Sequence, residues 1–471
     1  MSFPRYPEYK DSGIEWLGEV PAHWKVKRLR YVAELNPSKS EIRSLPEETR
    51  VSFIPMEAVG DDGSLVRGQT RALHHVIDGY TYVREGDVAV AKITPCFENG
   101  KAAMMRGLTN GVGLGTTELT VLRPRGPVTT SAYLFRIVTS EPFRWLGESH
   151  MYGAGGQKRV PDDFLRDFSI AWPSREEQAE ISAFLDHETG KIDALIEEQR
   201  RLIELLKEKR QAVISHAVTK GLEPNVAMKD SGVEWLGEVP AHWEVHRLKY
   251  VSPEITVGIV VEPSKYYVDE GVPALRSVNV KPGGVSRDNL VFISLESNDL
   301  HSKSKIYSGD LVAVRSGQPG TTGVVPEDLD GCNCIDLIII RKPDRGSEWF
   351  LSWYLGSDSA IRQFSEGSGG AIQQHFNIGT ASNLLIAWPP FDEQFRIVQF
   401  IEREATRLDR LIDEAEQAMS LLSERKSALI SAAVTGKIDV RGWSVGAESE
   451  EPELAMVAEE SAGYSTQGGA A

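Results

Sequence analysis

Residues 10–32 and 229–251 carry nearly the same sequence, with four differences in 23 positions at a constant offset of 219. A match of that length does not arise by chance, so the chain contains two copies of one structural frame. A second match without gaps relates residues 171–219 to 387–435, where 21 of 49 positions are identical. The chain is therefore predicted to consist of two halves that share a frame.

The segments between the matching parts, residues 33–170 and 252–386, hardly resemble one another. Each half thus has a short signature, a variable segment of about 135 residues and a charged periodic segment of about 47 residues. Two copies that keep their frame and differ in the middle suggest a protein whose halves meet two different targets.

The charged segments carry apolar residues at alternating steps of four and three, from Ile181 to Val213 and again from Ile397 to Leu429. This spacing is typical of a coiled-coil seam and predicts two long helices that pair antiparallel. The alternative is that each helix packs on its own domain alone. Ser174 with Glu177 fits a capping box at the start of the first helix.

Charged residues occupy the same seam positions in both copies: Glu188 and Lys209 in the first, Glu404 and Arg425 in the second. Antiparallel pairing would bring Glu188 to Arg425 and Glu404 to Lys209. Polar residues in a seam set the register of a coiled coil, so we expect these pairs to do so.

The variable segments indicate mixed α/β structure. Short apolar runs bounded by glycine predict strands at residues 80–83, 87–91 and 311–314, and helices are predicted near residues 132–146 and 349–366. The expected fold class is α+β, with two mixed α/β domains joined by two long helices and a pseudo-two-fold internal repeat.

Composition excludes several classes of protein. The chain is 41% hydrophobic and 25% charged, which is ordinary for a globular protein. Its apolar runs are far shorter than the ~20 residues of a membrane span, and the start MSFPRYPEYK lacks a signal-peptide core. Three cysteines, Cys96, Cys332 and Cys334, suit neither a disulfide framework nor a zinc finger. We expect a cytoplasmic protein in which they are small buried residues.

Three features together point to a family: the signature, the helix openings and the order of the segments. The signature residues are Trp16, Gly18, Pro21, His23 and Trp24, with copies at Trp235, Gly237, Pro240, His242 and Trp243, and the Pro-x-x-x-Glu-Gln openings are Pro173–Gln178 and Pro389–Gln394. In these features, residues 4 to about 441 closely resemble the specificity subunit of type I restriction-modification enzymes.

The resemblance implies four parts: target recognition domain 1 (1–173), a central coiled-coil helix (174–223), target recognition domain 2 (224–389) and a C-terminal coiled-coil helix (390–441). Residues 442–471 are acidic, rich in small residues and without periodicity, which predicts a disordered acidic tail. In the family the two helices act as a ruler, so the implied target is double-stranded DNA with two short specific halves separated by a fixed gap.

The resemblance also implies partners. The subunit would recruit two methyltransferase subunits, which use S-adenosylmethionine to methylate adenine, and two restriction subunits, which use ATP and Mg²⁺ for cleavage. The chain itself would hold no cofactor or metal and would be non-catalytic. Its part would be to select the DNA sequence.

Two loop positions recur in both halves and are candidates for DNA contact. Phosphates attract Lys and Arg, and base edges are read by donors such as Arg, Gln and Asn. The first loop contributes Lys92 and Thr94 in one half and Arg315 and Gln318 in the other; the second contributes Gln157, Lys158 and Arg159, and then Gln373, Gln374 and His375. The alternative is that these are ordinary solvated surface loops.

The net charge of −16 does not favour this interpretation, because DNA-binding surfaces are usually basic. Six acidic residues and no basic residue lie in the tail, but residues 224–389 still carry 14 basic and 20 acidic residues. We therefore expect the isolated chain to bind DNA weakly, with the partner subunits supplying much of the attraction to phosphate.

Two rival functions are a chain with its own nuclease or methyltransferase activity and a coiled-coil scaffold that binds proteins only. Against the first, the string Trp388–Phe391 lacks the polar first residue of an adenine methyltransferase loop, and no phosphate-binding glycine loop is found. Asp87 with Lys92, and the pair Asp162 and Asp163, lack the acid-x-Lys partner of a nuclease site. The signature tryptophans are expected to be core or docking residues and not base-stacking platforms.

Overall fold

The computed structural model describes residues 3–154, 156–315, 320–366 and 377–444. Contacts divide the chain into two compact units. Unit 1 comprises residues 1–197 and 420–471, and unit 2 comprises residues 198–419. Each unit therefore takes one variable domain, the start of one long helix and the end of the other.

Unit 1 has twelve strands among its described residues: β1 Tyr9–Asp11, β2 Glu19–Pro21, β3 Lys25–Arg28, β4 Ala33–Leu35, β5 Arg50–Ile54, β6 Thr70–Ala72, β7 Thr81–Arg84, β8 Val88–Ala91, β9 Ala102–Met104, β10 Val112–Gly115, β11 Leu119–Pro124 and β12 Ser169–Trp172. Its helices are α1 Leu29–Val32, α2 Leu73–Val76, α3 Ser131–Val138, α4 Glu141–Ser149, α5 Asp162–Asp167 and the first part of α6 Arg175–Lys220.

Eight of these strands form two four-stranded sheets, in the orders β6-β5-β10-β7 and β4-β11-β8-β9, and the other four form the two-stranded sheets β1-β2 and β12-β3. All their pairs are antiparallel except β5 with β10. The strand predicted at residues 87–91 is β8, and every residue of β8 is buried. Burial on both faces is what a short continuous apolar run indicates.

Unit 2 repeats this plan. Its strands are β13 Met228–Asp230, β14 Glu238–Pro240, β15 Glu244–Arg247, β16 Ile255–Val257, β17 Tyr267–Val268, β18 Val272–Leu275, β19 Val280–Lys281, β20 Gly284–Val285, β21 Val291–Ile293, β22 Leu311–Val314, β23 Thr322–Val324, β24 Asn333–Cys334, β25 Leu337–Ile340 and β26 Leu385–Trp388. Its helices are α7 Leu248–Val251, α8 Leu295–Leu300, α9 Glu348–Leu355, α10 Asp358–Glu366, α11 Ile378–Asn383 and the first part of α12 Phe391–Val434.

The sheet β16-β25-β22-β23 has the same order and directions as β4-β11-β8-β9, although the two domains share little sequence. Strand β18 pairs parallel with β24 as β5 does with β10. The predicted mixed α/β class and internal repeat are confirmed. None of the helices described is long and apolar enough to cross a membrane.

Each of the two helices predicted inside the variable segments is a pair of helices. Residues 132–146 are split between α3 and α4, because Thr139 and Ser140 donate hydroxyl hydrogen bonds to Phe135 O (2.8 Å) and Ile137 O (2.7 Å) at the end of α3. Pro142, in the first turn of α4, lacks the amide that a continuous helix needs. Residues 349–366 are split in the same way at Gly356 and Ser357.

The repeated signature binds the opening of the long helix of its own unit. The buried carboxylate of Glu177, in the first turn of α6, accepts hydrogen bonds from Tyr6 Oη (2.8 Å) and Trp24 Nε1 (3.0 Å), and it lies 2.9 Å from His23 Nε2. In unit 2, Glu393 lies 2.8 Å from His242 Nε2. The signature thus fixes where each long helix begins.

The predicted capping box is half present. Ser174 Oγ accepts from the backbone N–H of Glu177 at 3.2 Å, but the Glu177 side chain turns to the signature. The next residue of the motif ties the helix to its domain: Gln178 accepts from Thr129 Oγ1 at 2.9 Å, and Gln394 accepts from the backbone N–H of Ser347 at 2.8 Å. Both side chains of the Glu-Gln pair therefore stabilise the contact between a long helix and the domain of its own unit.

Within each unit the two long helices pack antiparallel. In unit 1, Asp193 of α6 pairs with Lys426 of α12 at 2.6 Å. In unit 2, Arg210 of α6 pairs with Asp409 of α12 at 2.8 Å, beside an apolar cluster that includes Ile203 and Ile412. The coiled-coil segments expected from the seam are confirmed.

The predicted seam pairs are wrong in detail. Glu188 lies 3.7 Å from Lys191, within its own helix, and Glu404 lies 3.4 Å from Arg403. The pairs that join the helices, Asp193–Lys426 and Arg210–Asp409, are themselves related by the 216-residue offset of the repeat. They lie at the flanks of the seam, where long side chains reach across and keep contact with water.

Two buried ion pairs brace the equivalent central strands of the domains. Arg123 donates to both oxygens of Asp87 at 2.8 and 2.9 Å, and the two residues are 5% and 1% exposed. In unit 2, Arg341 donates to the buried Asp310 at 2.6 Å. Asp87 is therefore an ion-pair partner at the start of β8, and Lys92 follows the other end of that strand.

Removing one member of the buried pair should be costly. Arg123→Met leaves the Asp87 carboxylate without its guanidinium, and we expect a loss of about 3–5 kcal/mol in the free energy of unfolding. The control is Arg28→Met, which removes one member of an exposed pair with Asp167 and should cost about 0–1 kcal/mol. Urea denaturation measures both; equal losses would contradict the structural role of Arg123.

The interhelical pair of unit 1 can be tested by exchanging its charges. Lys426→Asp places two carboxylates together and should lower the free energy of unfolding by about 1 kcal/mol, since the pair is partly exposed. The double variant Asp193→Lys, Lys426→Asp should recover most of that loss. Additive losses in the double variant would show that the two side chains do not interact.

Candidate nucleic-acid interface

The two candidate loops of unit 1 meet at one end of the sheet that contains β8 and β11. β8 ends where the antiparallel β11 begins, and the N–H of Lys92 donates there to the carbonyl of Glu118 at 2.9 Å. Loop A, residues 92–101, continues from β8 to β9, and loop B is the hairpin of residues 152–159. The chain thus brings together Thr94 and Lys158, which are 64 positions apart.

Backbone hydrogen bonds hold the two loops side by side. Thr94 donates to Lys158 O from its N–H (3.0 Å) and from its hydroxyl (3.2 Å), and the N–H of Val160 donates to Lys92 O at 2.9 Å. Thr94 therefore fastens one loop to the other. Its predicted contact with DNA stays a prediction. Because the hydroxyl hydrogen is donated to Lys158 O, such a contact would use the hydroxyl oxygen as a hydrogen-bond acceptor.

Loop B presents exposed polar side chains. Gln157 and Lys158 are exposed, and Tyr152, at the base of the hairpin, is 67% exposed. Gly153 permits the tight hairpin, since its φ is +138° and a Cβ there would lie 2.6 Å from Gln157 O. These positions suit contact with a large polar partner.

The side chain of Arg159 is fixed by two hydrogen bonds. Its Nε donates to one oxygen of Glu118 at 2.9 Å and its Nη2 to the other at 2.8 Å. This side-on pair of hydrogen bonds orients the guanidinium plane. Glu118 is not among the residues predicted from the sequence, because an acidic side chain does not attract phosphate. The signal for it is an acid directly before β11, the strand that pairs with β8.

The ion pair changes the titration of both groups. Hydrogen bonds from Arg159 lower the pKa of the Glu118 carboxyl; partial burial works in the opposite direction, and the nearby charges of Arg159 and Lys92 lower it further. The same hydrogen bonds raise the pKa of Arg159. Glu118 is thus held in its charged form.

In unit 2, the candidate Arg315 follows β22 as Lys92 follows β8. Its Nη1 donates to Asp336, which directly precedes β25 as Glu118 precedes β11. A base opposed by an acid thus stands at the same end of the central strand pair in both domains. Gln318, Gln373, Gln374 and His375 lie outside the described residues.

Residues weighed for other chemistry have structural surroundings. Asp162 and Asp163 lie in the first turn of α5, where acids suit the helix dipole, and Asp163 pairs with Arg166 at 2.8 Å. Within the part of the chain that the structure describes, no group of three or more His, Cys, Asp or Glu side chains is arranged to hold a metal ion.

Cysteines and signature tryptophans lie largely in the interior. Cys332 and Cys334 are buried as expected, whereas Cys96 is only half-buried. Burial raises the pKa of the Cys334 thiol, which disfavours the reactive thiolate. Trp24 and Trp243 are fully buried, so these two side chains offer no surface on which a base could stack.

Several known proteins similar to this chain are specificity subunits of type I restriction enzymes. The EcoAI and EcoEI type I restriction enzyme specificity subunits of Escherichia coli are 43% and 40% identical to it over 165 residues. The putative MjaX specificity subunit of Methanocaldococcus jannaschii is 22% identical over 452 residues, which cover 94% of this chain and 99% of that one. The chain is homologous to the specificity subunits of type I restriction enzymes. This confirms the resemblance noted in its sequence.

The match with the two Escherichia coli subunits spans 35% of this chain and 27% of each of theirs. A chain solved in work on complex assembly and conformational transition of the type I R-M system superimposes with a TM-score of 0.69 at 18% identity, covering 88% of this chain and 98% of that one. That likeness concerns the fold. No family model matches the chain.

The pH dependence of stability should reveal the Glu118 ion pair. Because the folded pKa is lowered, the pair stabilises the fold above the pKa of an unfolded glutamate, about 4.3, and the contribution is lost as the pH falls through the folded value. The difference in unfolding free energy between wild type and Glu118→Gln should therefore shrink as the pH falls from 6 to 3, measured by urea denaturation.

The control for this experiment is the same change in an Arg159→Met background. Without the guanidinium, only the charge of Lys92 and the opposing effect of burial act on Glu118, so Glu118→Gln should alter the pH profile much less. A difference that stays constant from pH 6 to pH 3 would show that the ion pair does not stabilise the folded chain.

Proposed function

We propose that the chain is the DNA-specificity subunit of a type I restriction-modification complex and that it recognises a bipartite double-stranded DNA target. The observation that carries this proposal is the pair of like-built domains, each with a basic residue at the same end of its central strands. Lys92 and Arg315 share that position. The side chains around them differ, as two different half-sites require.

Homology supports the choice of system. The relatives are specificity subunits of type I restriction enzymes, and the match with one of them, at 22% identity, extends over 94% of the chain. In this proposal the chain performs no catalysis. It selects the DNA sequence on which partner subunits act, in the cytoplasm.

The proposed partners are two adenine-N6 methyltransferase subunits and two restriction subunits with endonuclease and ATP-driven translocase activity. S-adenosylmethionine, ATP and Mg²⁺ would be used by those partners. Tyr31 and Tyr250 occupy the same signature position and are 62% and 74% exposed. Exposed aromatic residues repeated in both units suit docking of two copies of one partner.

The negative net charge of the chain fits a complex in which the partner subunits share in binding DNA. With a net charge of −16, the chain alone offers little long-range attraction to phosphate. In the proposed complex, the methyltransferase subunits would supply much of that attraction, and the recognition loops would supply discrimination between bases.

Mapping of methylated adenines in the source organism tests this function. Deletion of the gene should remove methylation from one bipartite motif, and restoration of the gene should bring it back. The purified full-length chain, incubated with DNA, Mg²⁺ and S-adenosylmethionine, should neither cut nor methylate DNA. An unchanged methylation pattern contradicts the proposal, and cleavage or methylation by the purified chain favours an enzyme.

A further inference from the structure

Arg159 is held by one edge. A guanidinium has five N–H donors in a plane, and Glu118 takes one from Nε and one from Nη2. The edge formed by Nη1 and the second hydrogen of Nη2 points away from the carboxylate. The side chain is 40% exposed, so this edge can reach a partner outside the protein.

The backbone of Arg159 is held as firmly as its side chain. Residue 159 forms bridges with Tyr152 across the hairpin and with Ile93 of loop A. The neighbouring Lys158 carbonyl accepts two hydrogen bonds from Thr94. Because its backbone and its guanidinium are both held, this side chain loses little further conformational entropy when a ligand binds.

An acid at this place does not assist attraction to phosphate. The carboxylate of Glu118 cancels one positive charge where Lys92 and Arg159 come together. What the carboxylate supplies is orientation of the guanidinium plane. Orientation matters little for a non-specific contact and much for a contact that must match the edge of one base.

We propose that Arg159, positioned by Glu118, reads a guanine in the half-site that unit 1 recognises. The outer edge of the guanidinium donates to guanine O6 and N7 in the major groove, the pairing that the geometry of these two groups favours. Glu118 acts as a positioning residue and does not itself contact the base. This inference rests on the proposed function, since it assigns one base contact to the proposed DNA site.

Unit 2 carries a related pair at the same end of its central strands, although Arg315 is the counterpart of Lys92 and not of Arg159. Arg315 donates to Asp336 where β22 and β25 end. The recurrence of an acid beside the candidate arginine, in domains that share little sequence, supports a positioning role for the acid in both. The pair in unit 2 also provides the matched control.

The test uses the strain in which the gene is deleted, restored in turn with wild type, Arg159→Lys, Glu118→Gln, Lys158→Ala and Asp336→Asn. Methylation is scored at sites that match the motif and at sites that differ from it by one base pair. Arg159→Lys and Glu118→Gln should raise methylation by about tenfold, relative to matched sites, at sites altered at one G·C pair of one half. Discrimination in the other half should stay unchanged.

The controls separate this outcome from weaker binding or poor folding. Lys158→Ala should lower methylation at all sites together, and Asp336→Asn should relax the other half of the motif. Uniform loss in Arg159→Lys and Glu118→Gln would make Arg159 a phosphate contact and overturn the inference, as would unaltered specificity. Relaxation of the same base pair by Asp336→Asn would also overturn it.

A failure of the proposed function looks different. In that case restoration of the wild-type gene returns no bipartite motif, so there is no base preference to alter. A motif without guanine in the half affected by Arg159→Lys leaves the function intact and overturns the guanine assignment alone.

Discussion

The buried ion pair between Asp87 and Arg123 sets the register on which the recognition loops depend. Asp87 directly precedes β8 and Arg123 lies near the end of β11, so their contact aligns the two strands at one end. A slip of one residue would separate the charges in the interior and turn every side chain of β8 to the other face. Because the register holds, Lys92 and Glu118 meet at the far end of the same strands, where the loops begin. Asp310 and Arg341 do the same for unit 2.

A second constraint joins the signature to the long helices. In unit 1, one carboxylate, that of Glu177, accepts from a tyrosine and a tryptophan and lies beside a histidine. A buried carboxylate is costly unless its oxygens are bonded, so these side chains are needed together. The histidine contact recurs in unit 2, where His242 lies beside Glu393, and this link gives both halves a reason to retain the signature and the Glu-Gln helix opening.

The sequence allowed the two-part plan, the long helices and the fold class to be predicted, because repeats and apolar spacing are visible in the chain itself. It did not reveal which charges join the helices. The seam spacing aligns apolar rows, but the reach of the flanking side chains decides that Asp193 meets Lys426. The split between α3 and α4 depends on hydroxyl groups that bond to the helix end, a competition that apolar spacing does not show. Residue type alone indicates Lys92 and Arg159 as candidates. Their common partner Glu118 is visible only once β8 and β11 are known to pair.

The last turns of α12 belong to the core of unit 1. Leu429, Ile430, Ala433 and Val434 are buried in the same apolar cluster as Trp24 and Ile181, and Tyr9 donates from its hydroxyl to the carbonyl of Gly436, 427 residues away. Unit 2 is continuous in sequence, whereas unit 1 is not. During synthesis, which proceeds from the N-terminus, the residues that complete the core of unit 1 are made after all of unit 2. The second domain is therefore fully synthesised before the core of the first can be completed. Until the end of the chain is made, part of the apolar surface of the N-terminal domain stays uncovered.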